Sequence, residues 1–160
     1  MATGLTFTRF PFDPGEAIPE AYSCEGADVS PPLAWQDVPD RAETLTLIVD
    51  DPDAPGQTFT HWVLVNIPAE QTELPRDLDI GTHFASAGLS PVEGLNDFND
   101  VGYGGPCPPP GHGPHRYFFR LYALDAGLDV DSGASRDEVE RAMNGHIIDQ
   151  TDLIGTYERS

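Results

Sequence analysis

Lysine is missing altogether from this chain of 160 residues: its eight basic side chains are all arginine, set against 27 aspartates and glutamates, for a formal charge of −19. A chain so short of positive charge has no basic patch for nucleic acid or an anionic membrane surface, and both are excluded as ordinary partners. Long apolar runs are missing too. No segment approaches the roughly 20 residues of a membrane-spanning helix, and Met1 to Phe12 has neither a basic leader nor an apolar stretch of signal-peptide length, so a cytoplasmic protein without integral membrane association is expected. Cysteine occurs only twice, as Cys24 and Cys107. The two could pair, but in a cytosolic chain the reduced state is the favoured expectation.

No repeat, linker or low-complexity tract divides the sequence, and its length fits one domain, residues 1–160, burying roughly two-thirds of its unfolded surface without metal or disulfide staples. Strong acidity often accompanies disorder, yet 39% hydrophobic residues in strand-like patterns predict a folded chain. Abundant aspartate binds water and cations, and the lack of lysine removes long apolar stems from the surface; a salt-adapted protein of a halophilic cytoplasm follows.

The 16 prolines and 16 glycines are scattered as loop punctuation, which favours many short strands. Leu5–Phe10 reads as an edge strand, Leu45–Val49 as an apolar strand, His61–Ile67 as a strand covered on both faces, and Arg116–Leu124 as a central strand. Ser135-Arg136-Asp137-Glu138 has capping-box form, and Val139, Ala142, Met143 and His146 follow at helical spacing, with Gly145 near the helix end. Ile147–Tyr157 is expected to prolong that helix briefly and then close the domain. The order predicts a mainly β protein, an antiparallel β-sandwich with peripheral helices.

Two blocks carry the chemistry. In the first, Pro52 and Pro55 stiffen the loop bearing Asp51 and Asp53, and the chain returns at His61, which can face Asp51; a carboxylate there would orient the imidazole and raise its pKa. In the second, Gly104-Gly105-Pro106-Cys107-Pro108-Pro109-Pro110-Gly111 runs into His115-Arg116-Tyr117, and strand alternation puts His115 and Tyr117 on one side. Two imidazoles and a phenol supply hydrogen-bond donors for phosphate, a phosphoester headgroup or a carboxylate, glycines allow close backbone approach, and prolines form an apolar wall. Blander roles stand beside these: turn capping for Asp53 and Asp51, interior packing for the histidines, and a rigid bend for the proline run. Arg116 suits a carboxylate contact that holds the loop. His83, His112 and His146 show no partner pattern, and His112, between two glycines, reads as a mobile rim residue. Carboxylate and imidazole could also ligate a metal, but the spacing is not diagnostic; neither a Walker loop nor a metal motif is present, and Ser30 and Ser86 lack a nucleophile elbow. Binding is favoured over catalysis or phosphoester hydrolysis, with no cofactor and no metal.

Taken with Cys24-Glu25-Gly26, Ser30-Pro31-Pro32-Leu33, Trp35, Asn66-Ile67-Pro68, Gly145-His146-Ile147 and Gly155-Thr156-Tyr157, the two blocks resemble the phosphatidylethanolamine-binding protein (PEBP) family, also called Raf kinase inhibitor-like, in its prokaryotic YbhB/YbcL-like branch. The similarity spans nearly the whole chain. It implies the same β-sandwich and a ligand site at Asp51, His61, Gly105, Pro108, Pro109, His115 and Tyr117, supported by Asp53, Pro55 and Arg116. It also implies a binding or regulatory role, with a phosphate-like anion or phospholipid headgroup as ligand. Serine-protease or kinase-pathway inhibition through protein contact is the alternative, and the protein partner is left open, as is the choice between monomer and homodimer. Phe59 stands where eukaryotic members have tryptophan, so a wider or differently shaped mouth is expected.

Overall fold

The computed structural model describes residues 4–83 and 91–159. Among these residues, eight strands form two antiparallel sheets. β1 (Thr6–Arg9), β2 (Leu33–Gln36) and β5 (Glu73–Leu74) make a three-stranded sheet in the order β1-β2-β5, with β1 at its edge as expected. β3 (Thr44–Asp51), β4 (Phe59–Pro68), β6 (Val92–Glu93), β7 (His115–Leu124) and β8 (Ile147–Tyr157) make a five-stranded sheet in the order β6-β4-β3-β7-β8. Among the described residues the α-helices are a single turn, α1 (Ile80–His83), and α2 (Arg136–Met143), with one 3-10 turn at Glu20–Tyr22.

Side-chain alternation along β3 sorts the interior into two layers. Leu45, Leu47 and Val49 join Trp62, Leu64, Tyr117, Phe119 and Leu121 in a core shared with Phe7, Leu33, Trp35 and Leu74 of the smaller sheet. Ile48 faces the other way, into a second core with Val63, Val65, Leu124, Val139 and Met143, which α2 covers. β3 and the middle of β4 are thus buried on both faces, and this is why their sequences read as nearly unbroken apolar runs. The interior position of β7, between β3 and β8, agrees with its aromatic content on both sides, although the middle strand of the sheet is β3.

α2 begins as its sequence dictates. The Ser135 side chain accepts from the Glu138 amide and the Glu138 carboxylate reaches back to the Ser135 amide, closing a capping box. The expected helical continuation after it is corrected: from Ile147 the chain is β8, paired antiparallel with β7 from His115↔Tyr157 to Leu124↔Ile147. Its period of two is carried by Leu153, Gly155 and Tyr157, which are buried. Glycine in the middle of that series hides the apolar alternation from a hydropathy pattern.

The expectation of reduced cysteines is also overturned: Cys24 and Cys107 form a disulfide with Cα atoms 5.4 Å apart. The Cys24 amide donates to the Pro106 carbonyl at 3.1 Å, so backbone pairing brings the two loops together before the sulfurs are considered. A contact across 83 residues of sequence is invisible without the fold.

Candidate anion-binding site

β3 ends in two adjacent carboxylates that serve opposite faces. Asp50 points toward α2, fully buried, and accepts from Arg120 Nε at 2.9 Å and Arg136 at 2.8 Å. Asp51 points to the other side. Its Oδ1 accepts the Asp53 amide at 2.7 Å, an Asx turn that shapes the proline-stiffened loop, and its Oδ2 accepts from His115 Nδ1 at 2.6 Å with both side chains almost wholly buried. Asp53 in turn receives the Arg116 guanidinium through Nε and a terminal nitrogen, each at 2.9 Å, and the Arg116 amide at 2.9 Å. Those hydrogen bonds hold the Asp53 carboxyl down at about 2. Asp53 and Arg116 therefore clip the loop to the start of β7, the loop-holding contact expected of Arg116.

His61 corrects the expected pairing with Asp51. Between Val49↔Trp62 and Asp50↔Thr60 the β3–β4 register skips one residue, and His61 is the extra one. Plain alternation would send His61 with Val63 and Val65 toward α2. The bulge turns it instead to the Tyr117 side, where the two rings lie 5.2 Å apart between centroids. His61 Nδ1 meets the Gly104 carbonyl oxygen at 2.7 Å, and the Gly104 amide donates back to the His61 carbonyl at 2.9 Å. The expected rise in its pKa is reversed: burial lowers it and outweighs the upward pull of the Gly104 carbonyl and the Asp51 charge. A neutral His61 that donates from Nδ1 has Nε2 as its acceptor.

Tyr117 shares a face with His115, as strand alternation predicts. Its hydroxyl is buried and has no hydrogen-bond partner among the described residues. Burial, followed by the nearby Asp51 charge, pushes its pKa up, so it remains a phenol; Asp51 lies close, but no hydrogen bond of acceptable geometry joins the two.

Asp51, His61, Pro108, Pro109, His115, Tyr117 and Pro55 line one pocket of about 350 Å³, together with Ala54, Phe59, Phe98 and Cys107. Gly105 lies outside this lining. Its lack of a side chain serves packing rather than ligand approach: a Cβ there would overlap the Tyr22 carbonyl oxygen, and its amide donates to Asp28 at 2.8 Å. Two larger clefts flank α2: one is lined by Asp97, Asp137 and Glu140 with Arg136, whose guanidinium is paired with Asp50 and Glu140, and the other by Asp137 and Glu140 with Arg141.

Two residues near the site carried no expectation of ligand contact. Phe98 packs edge-on against Phe59 at 4.8 Å and against His61 at 5.5 Å. A lone phenylalanine in Asn96-Asp97-Phe98-Asn99-Asp100 is a legible signal, because the Asn96 side chain accepts the Phe98 amide at 2.8 Å and shapes the loop that presents the ring. His112, expected to be an unpartnered rim residue, places Nδ1 2.6 Å from His115 Nε2. His146 also has a partner, Asp125 at 2.8 Å, remote from the pocket in sequence and fold. His83 closes α1; Ser86 lies outside the described residues, among which no group of three or more His, Cys, Asp or Glu could hold a metal ion, and no helix is long and apolar enough to cross a membrane.

The chain is thus a two-sheet antiparallel β-sandwich with a small pocket at the ends of its central strands. The family model for phosphatidylethanolamine-binding protein matches residues 8–158. A UPF0098 protein of Aquifex aeolicus is 50% identical over 149 residues, covering 92% of this chain and 85% of the relative, and one of Methanothermobacter thermautotrophicus is 50% identical over 145 residues, covering 89% and 91%. Among solved structures, a phosphatidylethanolamine-binding protein homologue of Chlamydia trachomatis superposes with a TM-score of 0.86 at 37% identity, covering 99% of this chain and 100% of that one. Escherichia coli YbcL, a member of the mammalian PEBP family, gives 0.86 at 35% identity with the same coverage. The chain belongs to the phosphatidylethanolamine-binding protein family.

Proposed function

We propose that this protein is a soluble binding protein, a single domain over residues 1–160, whose pocket takes a phosphate-like anion as the free ion, a phosphorylated metabolite or a phospholipid headgroup. One observation carries the reading: the Tyr117 hydroxyl, buried close to Asp51, has no hydrogen-bond partner of good geometry among the described residues, and it stands in the wall of a pocket that also holds His61 and His115. An unpaired buried hydroxyl costs about 1–3 kcal/mol, and a ligand oxygen would recover it. His61 Nε2 complements this by accepting from a protonated phosphate oxygen, and the aromatic pair Phe59 and Phe98 suits the organic part of an ester. Binding and release predicts saturation without product, whereas a hydrolase would show turnover that disappears when His61 or His115 is changed.

The acidic, lysine-free surface supports a salt-rich cytoplasm as the setting. The disulfide favours an oxidising compartment instead, and thiol titration of protein taken directly from cells decides between the two.

The test is an NMR titration with inorganic phosphate and phosphoethanolamine in potassium chloride, following the imidazole signals of His61 and His115 in the wild type and in His115→Ala. Saturable shifts that vanish in the variant are expected. A folded wild type with no shifts rejects the anion pocket and favours inhibition of a protease or kinase pathway through protein contact.

A further inference from the structure

We propose that His112 is a self-ligand of the pocket: in the free protein its imidazole occupies the place on His115 Nε2 that an oxygen of the anion takes, so the ligand enters by exchange. The inference deepens the anion-pocket reading and rests on it.

His115 has two ring nitrogens, and Nδ1 is committed to Asp51 at 2.6 Å. Only Nε2 is left for a ligand, and it lies 2.6 Å from His112 Nδ1. Two imidazole nitrogens at that separation share one proton; because His115 Nδ1–H is given to Asp51, a neutral His115 accepts at Nε2 from His112 Nδ1–H, and the anion takes that place through a protonated oxygen. While this bond stands, His115 Nε2 is engaged. The pocket of the free protein is satisfied at His115, whereas the Tyr117 hydroxyl has no partner among the described residues.

The two partners in the histidine pair are held very differently. His115 is 2% exposed on β7 and clamped by Asp51. His112 is exposed, between Gly111 at φ 75° and Gly113 at φ 85°, and a Cβ built on either glycine would meet no atom within 4 Å. Backbone contacts of this tip run from the Gly111 amide to the Arg159 carbonyl at 2.9 Å and from the His112 amide to the Pro109 carbonyl at 3.2 Å. Both can persist while the His112 side chain turns away about χ1 into open space. His112 is thus the replaceable member of the pair, and its departure uncovers the one ligand-facing nitrogen that Asp51 orients.

An internal competitor lowers apparent affinity by the fraction of molecules in which it has left the site. For one hydrogen bond of ordinary net strength that factor is about five- to tenfold. Removing the competitor should restore it, and a side chain that can still reach His115 should not. Asparagine places an amide near the position of the histidine Nδ1 and retains the contact.

Isothermal titration with inorganic phosphate at fixed pH and potassium chloride compares the wild type, His112→Ala and His112→Asn, each checked for folding by circular dichroism. The expected result is binding about five- to tenfold tighter in His112→Ala, with His112→Asn close to the wild type. Unchanged or weaker binding in His112→Ala, with the wild type still binding, overturns the self-ligand alone. Absence of binding in all three folded proteins overturns the anion pocket and the self-ligand together.

Discussion

His115 donates its Nδ1 proton to Asp51 across 2.6 Å, and this contact joins the end of β3 to the start of β7 inside the pocket wall. Asp51 also receives the Asp53 amide, so one carboxylate fixes an imidazole and a loop at once. Asp51→Ala leaves both donors without that acceptor, at a cost of about 1–3 kcal/mol for each group that stays buried. Urea denaturation should show a markedly lower midpoint; one within error of the wild type would mean that water replaces the carboxylate at no cost.

Tyr117→Phe should separate stability from binding. The variant removes a buried hydroxyl that has no partner among the described residues, so the folded protein is expected to be as stable as the wild type or up to about 1 kcal/mol more stable. Phosphate affinity should fall about fivefold or more. A less stable variant with unaltered affinity would place the hydroxyl in a structural bond instead.

The disulfide closes a separation of 83 residues, and Cys107 lines the pocket. Reduction, or Cys24→Ser with Cys107→Ser, should lower stability by about 2–4 kcal/mol through the greater freedom of the unfolded chain. Denaturation with and without a phosphine reductant measures the difference, with thiol counting to confirm the starting state.

Two pH windows follow from the shifted groups. His61 has its folded-state pKa below its ordinary value of 6.5, so the unfolded chain takes up the proton first, and stability falls as pH drops below about 6.5 until the folded form also protonates. His61→Gln should lack this component. Asp53 behaves like other depressed carboxyls: the stabilisation from its pairing with Arg116 is present above 3.8 and is lost as pH falls toward about 2. That pair is partly exposed, so Asp53→Asn should cost only about 0.2–1 kcal/mol at neutral pH. Melting temperatures of the two variants across pH 2–8 distinguish the windows.

Salt should strengthen both folding and binding. At a formal charge of −19 the protein repels itself and an approaching anion at low ionic strength, while near 1 M the Debye length falls to about 3 Å and local donors dominate. Melting temperature and phosphate affinity are expected to rise together with potassium chloride, with chloride competition measured separately. A steady loss of affinity in a fully folded protein would contradict this account.

The sequence by itself determined the sandwich, the strands around both blocks, the capped helix and the shared face of His115 and Tyr117, because these depend on local periodicity, caps and proline stiffness. It was also enough to recognise that Asp53 and Arg116 are suited to holding a loop. Tertiary structure decided which carboxylate meets which histidine. A one-residue bulge at His61 turned it to the pocket face that Asp51 also serves, where it meets the Gly104 carbonyl while Asp51 holds His115. It decided that Gly105 is small because the Tyr22 carbonyl passes beside it, that Cys24 meets Cys107, and that His112 reaches back to His115. Each of these depends on where separate segments cross or on a register slip within a ladder. Side-chain periodicity along one segment contains no term for either, so they become visible only when the sheets are assembled.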